Sequence, residues 1–113
     1  MSKRDNLLLL EDMLEAGNKI LAYTKGMNFN TFMSDSKTVD AVVRNFEIIG
    51  EAASRVSGEF KSDHPEIEWR RIVGFRNRII HEYFGIDYEI LWQVIEENLN
   101  ELIQTLSNLI GRG

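Results

Sequence analysis

The chain has 113 residues, 43% hydrophobic and 27% charged, a balance that fits one globular domain over residues 1–113 and excludes a disordered or fibrous chain. A net charge of −5 argues against a protein that coats nucleic acid indiscriminately, and the absence of cysteine excludes disulfides and thiolate metal sites, so a reducing, cytoplasmic setting is expected. The apolar run at residues 7–10 meets Glu11 and Asp12 at once, and no stretch approaches the roughly 20 apolar residues of a membrane span, so neither a signal peptide nor a membrane anchor is expected.

Helical periodicity dominates, with no strand pattern of comparable length, and predicts an all-α, up-and-down four-helix bundle. The first helix is expected over about residues 5 to 23, capped by Asp5, with Leu7, Leu10, Leu14, Gly17 and Leu21 at helical spacing. Residues 25–34 contain Gly26, Asn28 and Asn30 and read as a connector. A second helix, capped by Ser34 or Asp35, runs over about 36 to 56 and buries Val39, Val42, Val43, Phe46, Ile49, Ala53 and Val56. Gly50 sits in its middle, where glycine costs roughly 1 kcal/mol relative to alanine. Gly74 is placed similarly in the third helix, so one or both glycines are expected to mark a tight crossing.

Residues 57–64 read as a loop, and Pro65 suits the first turn of the third helix, which is expected to end near Tyr83. The fourth helix opens at an Asp87 cap. Tyr88, Trp92, Ile95, Leu99, Leu102, Leu106 and Leu109 then form a heptad seam. Ile90, Val94, Ile103 and Ile110 widen the apolar stripe beyond what one partner helix covers, which is best explained by a self-association surface on the bundle, the alternative being a bundle core alone.

The third helix carries the candidate chemistry. Residues 69–81 hold four arginines (Arg70, Arg71, Arg76, Arg78) and no acid, a local charge of +4 on an acidic chain. At 100° per residue, Ile72, Val73, Arg76, Ile80 and Tyr83 fall within about 60° of Trp69. Arg76 is thereby placed on an apolar stripe, where an unpaired charge is expensive and requires a carboxylate, an anion or a cleft. Glu47 and Glu51 on the second helix are candidate partners, like charges at i, i+4 that a facing cation would relieve. His81 lies roughly 140° around the helix from Arg76, so one helix does not bring the two together. Either the helix loosens near His81, or two copies of it meet and complete the site across an interface.

The octet Arg76-Asn77-Arg78-Ile79-Ile80-His81-Glu82-Tyr83 resembles the Arg-x4-His-x-Tyr motif of the HEPN superfamily, in its HepT-like toxin branch. Arg44-Asn45-Phe46-Glu47-Ile48-Ile49-Gly50-Glu51-Ala52 resembles that family's second-helix signature, and Trp69-Arg70-Arg71-Ile72-Val73-Gly74-Phe75 its lead-in to the motif, with Glu68 where many relatives have proline. The resemblance implies a homodimeric, metal-independent endoribonuclease without cofactor, the toxin of a toxin–antitoxin pair. Its partner would be a minimal nucleotidyltransferase that silences it by adding AMP to Tyr83. Arg76 and His81 are then the expected catalytic pair, with Asn77, Tyr83 and Glu51 supporting them. Arg70, Arg71 and Arg78 are expected to contact the RNA backbone, unless they form only a solvated face. A non-catalytic HEPN module that docks a nucleotidyltransferase is the alternative.

Overall fold

The computed structural model describes residues 2–81 and 85–112, and the part so described is all-α. Seven helices occur among these residues: α1 (Lys3–Thr24), α2 (Phe29–Met33), α3 (Ser36–Arg55), α4 (Gly58–Asp63), α5 (Trp69–His81), α6 (Tyr88–Glu97) and α7 (Leu99–Arg112). The four expected helices supply the long elements. α1 packs along α3 and α7, and α5 packs along α3.

Helix starts follow side-chain chemistry. Asp5 is not the cap of α1 but its third residue: Ser2 caps the helix and Asp5 reaches back to it in a capping box. Hydrogen bonds from the Ser2 backbone, then its hydroxyl, hold the Asp5 carboxyl below the usual carboxylate range. Asp35 caps α3, and its carboxyl is lowered by the Thr38 hydroxyl and then by the Thr38 backbone N–H. Asp87 caps α6 as expected, accepting from the backbone N–H groups of Glu89 and Ile90.

The expected connector at 25–34 and loop at 57–64 each contain a short helix. Asn28 and Thr31 form a capping box for α2, which drives Phe32 fully into the core beside the Trp92 ring, 5.0 Å between centroids. Ser57 caps α4, and the buried Asn6 amide of α1 exchanges two hydrogen bonds of 3.1 Å with Ser57. The third long helix begins at Trp69 rather than Pro65. Residues 64–68 form a turn that buries Ile67 and lets the Trp69 indole donate to the His64 carbonyl at 3.0 Å.

The fourth expected helix is interrupted at Asn98, which closes α6 on the Val94 carbonyl. The heptad seam is therefore split. Leu91, Trp92 and Ile95 are buried before the break, and Leu99, Leu106 and Leu109 after it, where α7 lies on α1. One core runs through all the long helices, with Leu10, Met13 and Ile20 of α1 and Val42 of α3 at its centre.

Candidate functional site

The site begins with a missing side chain. A Cβ built on Gly50 would overlap the Cβ and Cγ of Arg76 and stand 3.4 Å from its Cα. Glycine at this position lets α5 approach α3 closely enough to lay the arginine stem on backbone, the tight crossing expected from the sequence. Gly74 has no such role, because a Cβ there meets nothing within 4 Å.

From that anchor the guanidinium is directed by two acceptors. Arg76 Nη2 donates to Glu51 Oε2 at 2.6 Å, and Nη1 donates to Asn77 Oδ1 at 2.9 Å. The arginine side chain is 26% exposed and Glu51 52%, so the ion pair sits at the edge of solvent. Arg76 Nε is buried without a hydrogen-bond partner.

The face of α5 differs from the one read by angle. Ile79 is the buried residue of this turn, 3% exposed, while Ile80 is 37% exposed. The Phe46 ring takes Phe75 edge-on at 5.3 Å, on the side of α5 where Ile79 follows one turn later, and Ile80 lies beyond it at the rim.

Arg76 opens onto a cleft of ≈ 300 Å³ between α1, α3 and α5. Leu9, Ile48 and Ile80 give it apolar walls. Arg44 and Arg55 of α3 stand at the same cleft, with Glu47 and Glu51 between them in sequence. Neither arginine was singled out as a site residue from the sequence. Their signal was present in the α3 register, since residues 44, 48, 51 and 55 recur on one helical face.

The other expected site residues divide. Asn77 orients Arg76 and is itself exposed. His81 ends α5, is exposed, and is not among the side chains lining the Arg76 cleft. Within one chain, the two motif residues point to different places. Tyr83 lies outside the described residues. Arg70 is exposed at the start of α5. Arg71 and Arg78 border a second, mainly apolar groove of ≈ 480 Å³ that Phe46, Ile72, Phe75, Ile90 and Leu99 line between α5 and the α6–α7 arm. Arg71 Nη1 there donates to Glu68 Oε2 at 2.8 Å. Among the described residues no three His, Asp or Glu side chains are grouped to hold a metal ion, and no helix is long and apolar enough to cross a membrane.

Comparison with known proteins gives a consistent picture. Residues 13–109 match the family model described as Ribonuclease HepT-like. The chain is 40% identical over 102 residues to "Putative RNase MJ1380" of Methanocaldococcus jannaschii, covering 90% of this chain and 94% of that one. It is 42% identical over 100 residues to "Probable ribonuclease HepT" of Thermococcus cleftensis, covering 88% and 91%. "Putative RNase TTE0752" of Caldanaerobacter subterraneus subsp. tengcongensis is 36% identical over 103 residues, covering 91% and 92%. No solved structure matches. On the extent of the family match and the near-complete mutual coverage of these relatives, the chain belongs to the ribonuclease HepT-like family.

Proposed function

We propose that this protein is a metal-independent endoribonuclease. It would act as a homodimer whose motif helices share one groove, and as the toxin paired with a minimal nucleotidyltransferase antitoxin. The observation that carries the reading is the state of Arg76: anchored on Gly50, aimed by Glu51 and Asn77, and open to a cleft. The names of the relatives support the ribonuclease part of this reading.

Cleavage needs a group that exchanges protons near neutral pH and a fixed cation for the charge that develops on phosphorus. His81 removes the proton of a ribose 2′-OH. That oxygen attacks the adjacent phosphorus, the P–O5′ bond breaks, and a proton goes to the departing 5′-oxygen. The products are a 2′,3′-cyclic phosphate and a 5′-hydroxyl. Arg76 holds the phosphate through the attack, with Glu51 and Asn77 as positioning residues for its guanidinium. One motif histidine per chain means that an acid and a base of this type come from two chains. Tyr83, two residues after His81, is the acceptor proposed for AMP from the partner.

One observation favours the alternative, a non-catalytic module docking a nucleotidyltransferase: Arg76 is already paired with Glu51 while His81 is exposed outside the cleft. The two are separated by incubating purified protein with labelled RNA in EDTA. The nuclease reading expects cleavage by wild type and loss of at least about 100-fold in His81→Ala, with melting temperature and oligomeric state unchanged. Undiminished cleavage by His81→Ala removes His81 from the mechanism. Inert wild type that still binds the nucleotidyltransferase supports the module.

A further inference from the structure

Resting on the ribonuclease reading, we infer that Arg44 and Arg55 are flanking phosphate contacts that hold a single RNA strand along α3, with the scissile phosphate between them at Arg76. Three arginines from two helices converge on one cleft. Arg76 crosses α3 at Gly50, six residues after Arg44 and five before Arg55. At 1.5 Å per residue these are separations of about 9 Å and about 7.5 Å along α3, of the order of the spacing between successive phosphates on a strand once side-chain reach is allowed. Cations at both sides of the reacting position give a strand a direction and a register.

Three carboxylates, the exposed Asp12 of α1 together with Glu47 and Glu51, also line the cleft, so the track rests on where its cations stand and not on a net positive charge. Glu51 is engaged by Arg76 at 2.6 Å. Glu47 stands 3.8 Å from Arg44, a loose i, i+3 contact, and the Arg44 side chain is 70% exposed and free to turn toward a phosphate. Arg55 is exposed in the last turn of α3. Between the cations, Leu9, Ile48 and Ile80 offer an apolar strip against which a ribose or base face can rest. The cleft, ≈ 300 Å³, is too small to enclose a duplex, so its three arginines would follow the backbone of one strand while its neighbouring nucleotides stay in solvent.

The test uses full-length protein and a fluorescein-labelled 12-nucleotide RNA with 2′-O-methyl groups, which binds but cannot be cleaved. Affinity is followed by anisotropy from 50 to 200 mM KCl for wild type, Arg44→Gln, Arg55→Gln and the cleft-remote Lys19→Gln. Each cleft variant is expected to weaken binding roughly three-fold and reduce the salt slope by about 0.7, the share of one single-strand phosphate contact. With cleavable RNA each raises KM and leaves kcat within about two-fold, because neither arginine touches the reacting phosphate. Lys19→Gln leaves all of these unchanged. Wild type that binds and cleaves, with unaltered slopes in both arginine variants, overturns the track and leaves the nuclease standing. Wild type that neither binds nor cleaves RNA overturns the nuclease reading, and the track with it.

Discussion

Replacing Gly50 by alanine puts the helix crossing to a quantitative test. In an open helical position the change gains roughly 1 kcal/mol, because alanine is the better helix former and restricts the unfolded chain. Here the new methyl would stand 2.5 Å from Arg76 Cγ, more than 1 Å inside ordinary contact, and would overlap Cβ as well. Rotating Arg76 cannot relieve this, since Cβ moves only with the backbone. α5 must therefore retreat from α3 as a body, forfeiting contacts such as Phe46 with Phe75. Overpacking that displaces backbone costs about 3 kcal/mol, so the net loss is about 2 kcal/mol, or about 8 °C for a chain of this size. Thermal unfolding followed by circular dichroism at fixed protein concentration reads the shift, and RNA cleavage should fall with it as Arg76 moves off Glu51. A Gly50→Ala protein as stable as wild type would refute the tight crossing.

Gly74→Ala is the matched contrast: with nothing within 4 Å of the added methyl, it should raise stability by up to about 1 kcal/mol in the same melt. Phe32→Ala empties a fully buried ring site against Trp92 and should cost about 3–5 kcal/mol by urea unfolding, although α2 is only five residues long. Glu51→Gln keeps the shape but drops the charge at Arg76. Because the pair is partly exposed, stability should change by less than about 1 kcal/mol, while kcat falls several-fold if the carboxylate aims the guanidinium. Acid titration addresses the caps. Asp5 and Asp35 have carboxyls lowered in the folded state, so their contribution is present above the ordinary value near 3.9 and lost as pH falls through their lowered ones. Asp35→Ala should flatten the acid limb of a stability–pH curve and leave its neutral region parallel to wild type.

Much of this was legible residue by residue. The caps at Asp35 and Asp87, the buried face of α3, and Gly50 as a close-approach position follow from local chemistry and 3.6-residue periodicity alone. Two short helices escaped notice because they lie within polar segments; their signal was an N-cap, Asn28 or Ser57, and not an apolar stripe. The inward turn of Ile79 in place of Ile80 could not be read from α5 itself. An amphipathic helix fixes its own period, but the neighbour it leans on fixes which edge of the stripe is covered, and that neighbour is Phe46, 29 positions earlier than Phe75. Arg44 and Arg55 were visible as charges on α3, but only the crossing at Gly50 brings Arg76 to the cleft they line. The arrangement of Asn77 was half visible: it lies beside the arginine in sequence, and its carbonyl oxygen accepts from that neighbour's guanidinium.

The helix bearing the motif has extensive packing against α3, while its opposite flank borders an open groove toward α6 and α7. It is thus a beam fixed along one edge. An element held along one flank is expected to open at lower free energy than the α1–α3–α7 body, whose helices are packed on more than one side. Amide protons of α5 should exchange with solvent earlier than those of α1 or α3, and whatever fills the groove would set the beam's angle.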